Sequence, residues 1–321
     1  MINISLDPPI IQRNGLRLAV VAFSDIDGTI NDESLPEKER LNSIAPAKEG
    51  LISLEAHGIP VGLITARSFG ETQVYQKALG NKGFTICEDG AVVVLHSSTI
   101  TEANKNNLSK HMKLVKHNGE FAVLLSKVDT AKIKEFLTTI INQAAQQGSQ
   151  QTLLSTCTST PEVLLKDIPY ETLTDAKRSR DRIGSAYVRN TSAIQREIMH
   201  SLAPSWGMRV FGEPQHMHII GKDAHKGNAL QFINDNIKLF LSQSTEVDNM
   251  LPVVFGNNVN DVPLFKQAHD MNGIAVLVKN AKGGYSVPEK EIEPYILKAQ
   301  QPFGYGIAEV IPQVLKNLQL M

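Results

Sequence analysis

No run of apolar residues in this 321-residue chain is long enough to span a bilayer. Residues 1–14 lack the basic stretch and apolar core of a secretion signal, so a cytoplasmic location is expected. Cysteine is scarce. Cys87 and Cys157 are the only two and lie far apart, which fits a reducing compartment better than a disulfide framework. Excess charge is missing too: 32 Lys and Arg balance 33 Asp and Glu, which argues against general binding to nucleic acid or a membrane surface. There is no repeat, and the Gln-rich stretch 142–151 is short and ends a helical pattern. What remains is a chain of ordinary apolar content, long enough for two domains.

The most informative stretch is residues 16–30, LRLAVVAFSDIDGTI. Its first eight residues are apolar except Arg17, the pattern of a strand buried on both faces of a parallel sheet. The run ends in Asp25-Ile26-Asp27-Gly28-Thr29. Two carboxylates beside a buried strand are costly unless something pairs with them. Gly28 lets the chain turn and a ligand approach the backbone. Open α/β sheets bind ligands at the carboxyl ends of their strands, where this loop falls. A calcium loop is the rival reading. It requires Gly and Glu where this chain has Ile30 and Pro36, so it fails.

Further along, residues 47–57 read as a helix stopped by Gly58, and 59–65 as a second buried strand closing in Thr65-Ala66-Arg67-Ser68. A hydroxyl at a strand end can donate to a phosphate oxygen, or Thr65 or Ser68 can simply cap the next helix. Residues 84–87 and 91–95 read as a hairpin turning at Glu88-Asp89-Gly90. From 96 to 215 short strands alternate with two helices. One helix carries Ile133, Phe136, Leu137, Ile140, Ile141 and Ala144 on a single face, with 121–125 as its candidate partner strand. The other spans 193–202, with strands at 187–188 and 208–211. By count this middle part carries roughly +4 and the rest roughly −5, which suits an anion held between them and equally suits an ordinary surface.

His216 and His218 share a strand face, but a zinc site has no third ligand nearby, so a polar face at a domain junction is expected. Lys226 opens a helix with Leu230, Ile233 and Ile237 inward. A lysine there opposes the helix dipole unless it faces an anion. Residues 251–255 form another buried strand, ending in Gly256-Asn257-Asn258-Val259-Asn260-Asp261. Residues 273–278 are expected as the last core strand, and Pro302-Phe303-Gly304-Tyr305-Gly306 leads into a closing helix.

Taken together, these stretches resemble the four ordered motifs of the haloacid dehalogenase superfamily of phosphotransferases. Asp25 to Thr29 is similar to the first, Thr65 to the second, Lys226-Gly227-Asn228-Ala229-Leu230 to the third, and Gly256 to Asp261 to the fourth. One position departs: Asn257 stands where the family carries a metal-ligating Asp. The insert of about 120 residues between the second and third motifs resembles the type IIB cap. Within that group the chain is similar to mannosyl-3-phosphoglycerate phosphatases, through Thr172-Leu173-Thr174-Asp175-Ala176, the basic run 177–182 and the Phe-Gly-Tyr-Gly segment. Gly184-Ser185-Ala186 stands where that group usually has Glu-Pro.

The resemblance implies an α/β protein: a Rossmann-like three-layer parallel-sheet core with an inserted α+β cap, divided as 1–95, 96–219 and 220–321. It implies a Mg²⁺-dependent phosphomonoester hydrolase working through an aspartyl-phosphate on a sugar phosphate or glycosyl-3-phosphoglycerate. Asp25 would be the nucleophile and Asp27 the acid and base, with Thr65 and Lys226 holding phosphate. Thr65, Ala66, Arg67, Lys226 and Asn260 would contact substrate, and Asp25, Asp27, Asn257 and Asp261 would serve the metal. Arg178, Arg180, Arg182 and Arg189 are candidates for a second substrate anion, with surface exposure the simpler expectation for any one of them. A phosphomutase would use the same residues, and Asn257 leaves room for a member that binds a phosphorylated ligand without turning it over. The expected partner is a small phosphorylated molecule, not nucleic acid or membrane; oligomeric state is left open.

Overall fold

The computed structural model describes residues 7–80, 83–96, 100–110, 112–117, 119–148, 154–155, 182–189, 191–213, 216–241, 246–291 and 293–320. Cys157, the stretch 172–176, Arg178 and Arg180 lie outside them, as does the Arg189 side chain. Among the described residues no helix is long and apolar enough to cross a membrane.

The strands in chain order are β1 (Ile10–Arg13), β2 (Leu16–Ser24), β3 (Val61–Ile64), β4 (Thr85–Cys87), β5 (Val92–Leu95), β6 (Leu114–His117) and β7 (Glu120–Leu124). They continue with β8 (Leu154–Ser155), β9 (Ser185–Arg189), β10 (Met208–Glu213), β11 (His216–Gly221), β12 (Asn249–Gly256), β13 (Ile274–Lys279) and β14 (Leu297–Pro302). The larger sheet has ten strands in the order β14-β13-β12-β2-β3-β4-β5-β7-β6, with β1 added to β2. It is parallel from β14 to β4 and antiparallel from β4 to β6. The smaller sheet is antiparallel, in the order β10-β11-β9-β8.

β2 explains the layering. Its side chains alternate, and both sets are apolar. Leu18, Val20 and Ala22 pack against Leu51 and Leu54 of α1 (Ala45–Ala56) and against Ile307, Val310 and Val314 of a C-terminal helix, Phe303–Asn317. Ala19, Val21 and Phe23 pack on the opposite side, against Leu230 and Ile233 and against Leu264 and Phe265. Those residues lie on the helices Lys226–Asp235 and Val262–Asp270. Burying each large aliphatic side chain contributes about 1.5–3 kcal/mol. A strand polar on one face would expose a whole layer, so the continuous run commits β2 to the middle.

The structure corrects several expectations. Residues 10–13, where no strand is expected, form β1 and pair with Leu16–Ala19. Asn14 and Gly15 turn between them with φ of 50° and 79°. The 121–125 stretch does not serve the helix that follows it. As β7 it pairs with β5, matching Phe121 to Leu95, and carries the large sheet past the division expected at residue 96. The helix itself, Thr130–Gln146, packs through Ile133, Phe136 and Ile140 on Val188, Met199, Met217 and Ile219. Ile141 leaves that face and is 41% exposed. β11 belongs to the smaller sheet, and β14 adds a strand beyond β13.

Candidate active site

Parallel pairing of β12, β2 and β3 brings three strand ends to one edge. Phe255 lies opposite Ser24, and Ser24 opposite Leu63. The residues just past the ends of these strands therefore come to one edge: Asp25 after β2, Thr65 after β3 and Asn257 after β12. Asp25 is anchored by its backbone N–H to the Phe255 carbonyl at 3.0 Å. The loop then turns on Gly28 at φ 74°.

Lys226 is the electrostatic centre. It is fully buried at the first turn of Lys226–Asp235, and its Nζ donates to Asp25 Oδ1 at 2.8 Å and to Asp261 Oδ1 at 2.6 Å. His225 caps that helix by accepting from the Asn228 N–H at 3.1 Å, so the lysine is free to turn inward. Burial works against the ammonium, but the two carboxylates outweigh it and raise its pKa. Burial pushes the Asp25 carboxyl up to about 8, with Lys226 opposing and Asp261 adding to the rise. The other Asp261 oxygen accepts the backbone N–H groups of Asn257 and Asn258 at 2.9 and 3.0 Å. Asp261 thus fixes both the fourth-motif loop and the lysine.

Asp27 faces elsewhere. Arg67 grips it with Nε and Nη2, both at 2.7 Å, and Arg40 adds Nη1 at 3.3 Å. Burial alone would raise the Asp27 pKa, but Arg67 overcomes it and holds the carboxyl below its ordinary range. Ser68, not Thr65, supplies the helix cap, with a full capping box to Glu71 in Phe69–Leu79. The Thr65 hydroxyl accepts instead from the Arg67 N–H at 3.2 Å. The Ala66 carbonyl accepts from Arg182 Nη2 at 2.8 Å, and Asn260 Nδ2 donates to Asp89 Oδ1 at 3.2 Å.

Arg182 is buried, not on the surface; it lies over the Tyr187 ring at 3.9 Å and donates to Ser185 Oγ at 2.9 Å. Glu88, expected only as part of the hairpin turn, accepts from the Ile183 and Gly184 N–H groups and from Ser185 Oγ at 2.8–3.0 Å. His218 Nδ1 lies 3.4 Å from Asp89 Oδ2, so this strand face does meet the large sheet. Glu88 and Asp89 both hold φ of 54°, in the left-handed region. Two non-glycine residues in that conformation would have been the signal, but dihedral angles are not written in composition.

Among the described residues no three His, Cys, Asp or Glu side chains converge as a metal cluster. A Mg²⁺ donor set here must be mixed, which suits an ion that takes carboxylate, carbonyl and water oxygens. Asn257 is fully buried; its Oδ1 accepts from Thr29 Oγ1 at 3.1 Å, while its Nδ2 has no partner. The two ends of an amide are a matter of assignment. Turned end for end, Asn257 gives a proton to Thr29 and presents an oxygen where the orphaned nitrogen now sits. That oxygen, the Asp25 carboxylate and the Asp27 carbonyl are donors of the right chemistry for the ion.

These motifs on this fold define a class. The profile of haloacid dehalogenase-like hydrolases matches residues 22–285, and the chain belongs to that family. Among curated proteins it is 26% identical over 301 residues to a glucosyl-3-phosphoglycerate/mannosyl-3-phosphoglycerate phosphatase of Persephonella marina, covering 94% of this chain and 98% of that one. Solved structures share the fold. A haloacid dehalogenase-like hydrolase from Bacteroides thetaiotaomicron aligns with TM-score 0.57 at 16% identity, over 92% of this chain and 98% of its own. A Thermotoga maritima protein aligns with TM-score 0.55 at 17% identity, over 92% and 97%.

Proposed function

We propose that the chain hydrolyses a phosphate monoester through an aspartyl-phosphate, with a glycosyl-3-phosphoglycerate as the substrate class. The observation that carries this reading is the Asp25–Lys226–Asp261 arrangement, a carboxylate at the end of the central strand held by a fully buried ammonium. Asp25 attacks phosphorus and the ester P–O bond breaks, the leaving oxygen taking a proton from Asp27. Water then attacks the aspartyl-phosphate, losing its proton to Asp27 and releasing phosphate. Lys226 faces the phosphate oxygens as well as Asp25 and disperses the charge of the transition state. The Thr65 hydroxyl and backbone N–H groups of the Gly28 loop orient the phosphoryl group. Bound Mg²⁺, held by Asp25, the Asp27 carbonyl and Asn257 with Asp261 behind them, supplies the charge neutralisation that lets an anion approach an anion.

Asp27 cannot donate a proton while Arg67 grips it. An anionic group of the substrate drawing Arg67 away resolves this, and a phosphoglycerate offers such a group in its carboxylate. We assign the smaller sheet and the helices packed on it, Thr130–Gln146 and Ala193–Leu202, to the lid that reads the leaving group.

The test is phosphate release from glucosyl- and mannosyl-3-phosphoglycerate and from simple sugar phosphates, with Mg²⁺, by wild type and Asp25→Asn. Wild type is expected to release phosphate, fastest from the glycosyl-phosphoglycerates, and Asp25→Asn to lose at least a thousandfold, about 4 kcal/mol of transition-state stabilisation. Asn257 favours a second reading, a protein that binds the phosphorylated ligand without turnover. Ligand-induced thermal stabilisation with no phosphate release would establish that instead.

A further inference from the structure

Resting on the Mg²⁺-dependent reading above, we propose that Glu33 supplies the metal with the carboxylate that Asn257 lacks. The site has one charged oxygen ligand fewer than its family pattern, because an amide replaces the first carboxylate of the fourth motif. Glu33 comes from another direction, the loop that follows the first motif. A methyl group placed on Gly28 would run into Asn257 Nδ2 and lie 2.9 Å from Glu33 Cδ, so the amide and the carboxylate crowd the same space. That amide end is one of the buried polar atoms without a partner among the described residues. With the amide turned end for end, its oxygen and the Glu33 carboxylate are two acceptors over one glycine with no donor between them, and a divalent cation satisfies both.

The rest of the loop supports the assignment. Asn31 fixes its start, accepting from the Gly28 N–H at 3.1 Å and donating to the Tyr75 hydroxyl at 2.8 Å. Arg40 holds the Glu33 carbonyl at 2.7 Å while reaching Asp27 at 3.3 Å. The neighbouring acid, Asp32, is committed locally to the Ser34 N–H and hydroxyl at 2.9 and 2.6 Å. Among the described residues, no hydrogen bond or ion pair engages the Glu33 carboxylate. The acids Asp27, Asp32 and Asp261 act on it as like charges, and the Arg40 guanidinium opposes them. Like charges brought together repel, and a bound cation would relieve that repulsion further.

Calorimetric titration of Mg²⁺, with parallel counting of free Mn²⁺ by electron paramagnetic resonance, tests this in the apoprotein without any substrate. Glu33→Gln is expected to weaken binding about tenfold and Asn257→Asp to tighten it about tenfold, with the double variant returning near wild type. Glu33→Asp, which keeps the charge on a shorter arm, should lose less than Glu33→Gln and serves if the latter folds poorly by near-ultraviolet circular dichroism. If Glu33→Gln binds both ions as wild type does, Glu33 is not a ligand, while the phosphatase reading stands. If wild type binds neither ion even with inorganic phosphate present, both fall together.

Discussion

Two arginines converge on the Asp27 carboxylate, and their effect on stability can be read with its sign. The ordinary carboxyl value is 3.8, and Arg67 holds the folded value below it. A carboxylate with a lowered folded pKa stabilises the protein above its unfolded pKa, and that stabilisation is lost as pH falls through the folded value. Arg67→Met removes the chief cause and leaves burial, which acts the other way. The stability gap between wild type and Arg67→Met is therefore expected to be widest at pH 6–7 and to narrow towards pH 3. Urea unfolding across that range measures it, and a gap independent of pH would show that Arg67 acts only through packing over the Tyr75 ring, 4.9 Å from its guanidinium. At this scale the placement of Asp25, Thr65 and Asn257 at strand ends, and of Lys226 at the start of a helix, was legible from pattern and position. Arg40, Glu88 and the buried state of Arg182 were not. Glu88 meets Ser185 across 97 positions, and nothing local announces a pairing of that span.

Elements were legible in proportion to how much of their environment was local. β2 shows both its faces in eight residues. The Asn14-Gly15 pair is a strong hairpin signal, and β1 could have been read from it; polar residues around the turn obscured it. β14 has no such signal. Its sequence is LKAQQP, only Ala299 is fully buried, and it becomes a strand because β13 offers an open edge. The partner of Thr130–Gln146 was misread for a related reason: the nearest apolar strand in sequence had a better partner in β5. What the helix does bury forms a cluster of its own, separate from both faces of the large sheet. Phe136 is at its centre, fully buried and 5.6 Å from the Trp206 ring. Phe136→Ala is expected to cost about 3–5 kcal/mol. Because the cluster is separate, the loss should appear as one transition moving to lower denaturant while a second stays in place, a departure from two-state unfolding. Tryptophan emission, which reports Trp206 alone, should follow the moving transition and far-ultraviolet circular dichroism both.

At the scale of the whole molecule, the order of strands has a consequence for how copies of the chain meet one another. A ten-stranded open sheet ends in two strands whose outer hydrogen-bonding groups face away from the sheet, and such edges invite a foreign strand. Among the described residues β6 and β14 are those ends. Each carries an exposed lysine, Lys116 on one and Lys298 on the other. A second strand approaching either edge would have to bring a charge beside it out of water, which the surrounding apolar positions of β6 alone would not prevent. The double substitution Lys116→Val and Lys298→Val should leave unfolding midpoints within about 0.5 kcal/mol of wild type, as for most exposed positions. It should raise light scattering steeply with protein concentration, and that self-association should respond little to salt, because hydrogen-bonded edges and not opposite charges would hold the copies together. On that outcome the two lysines guard the colloidal behaviour of a protein whose folding they barely touch.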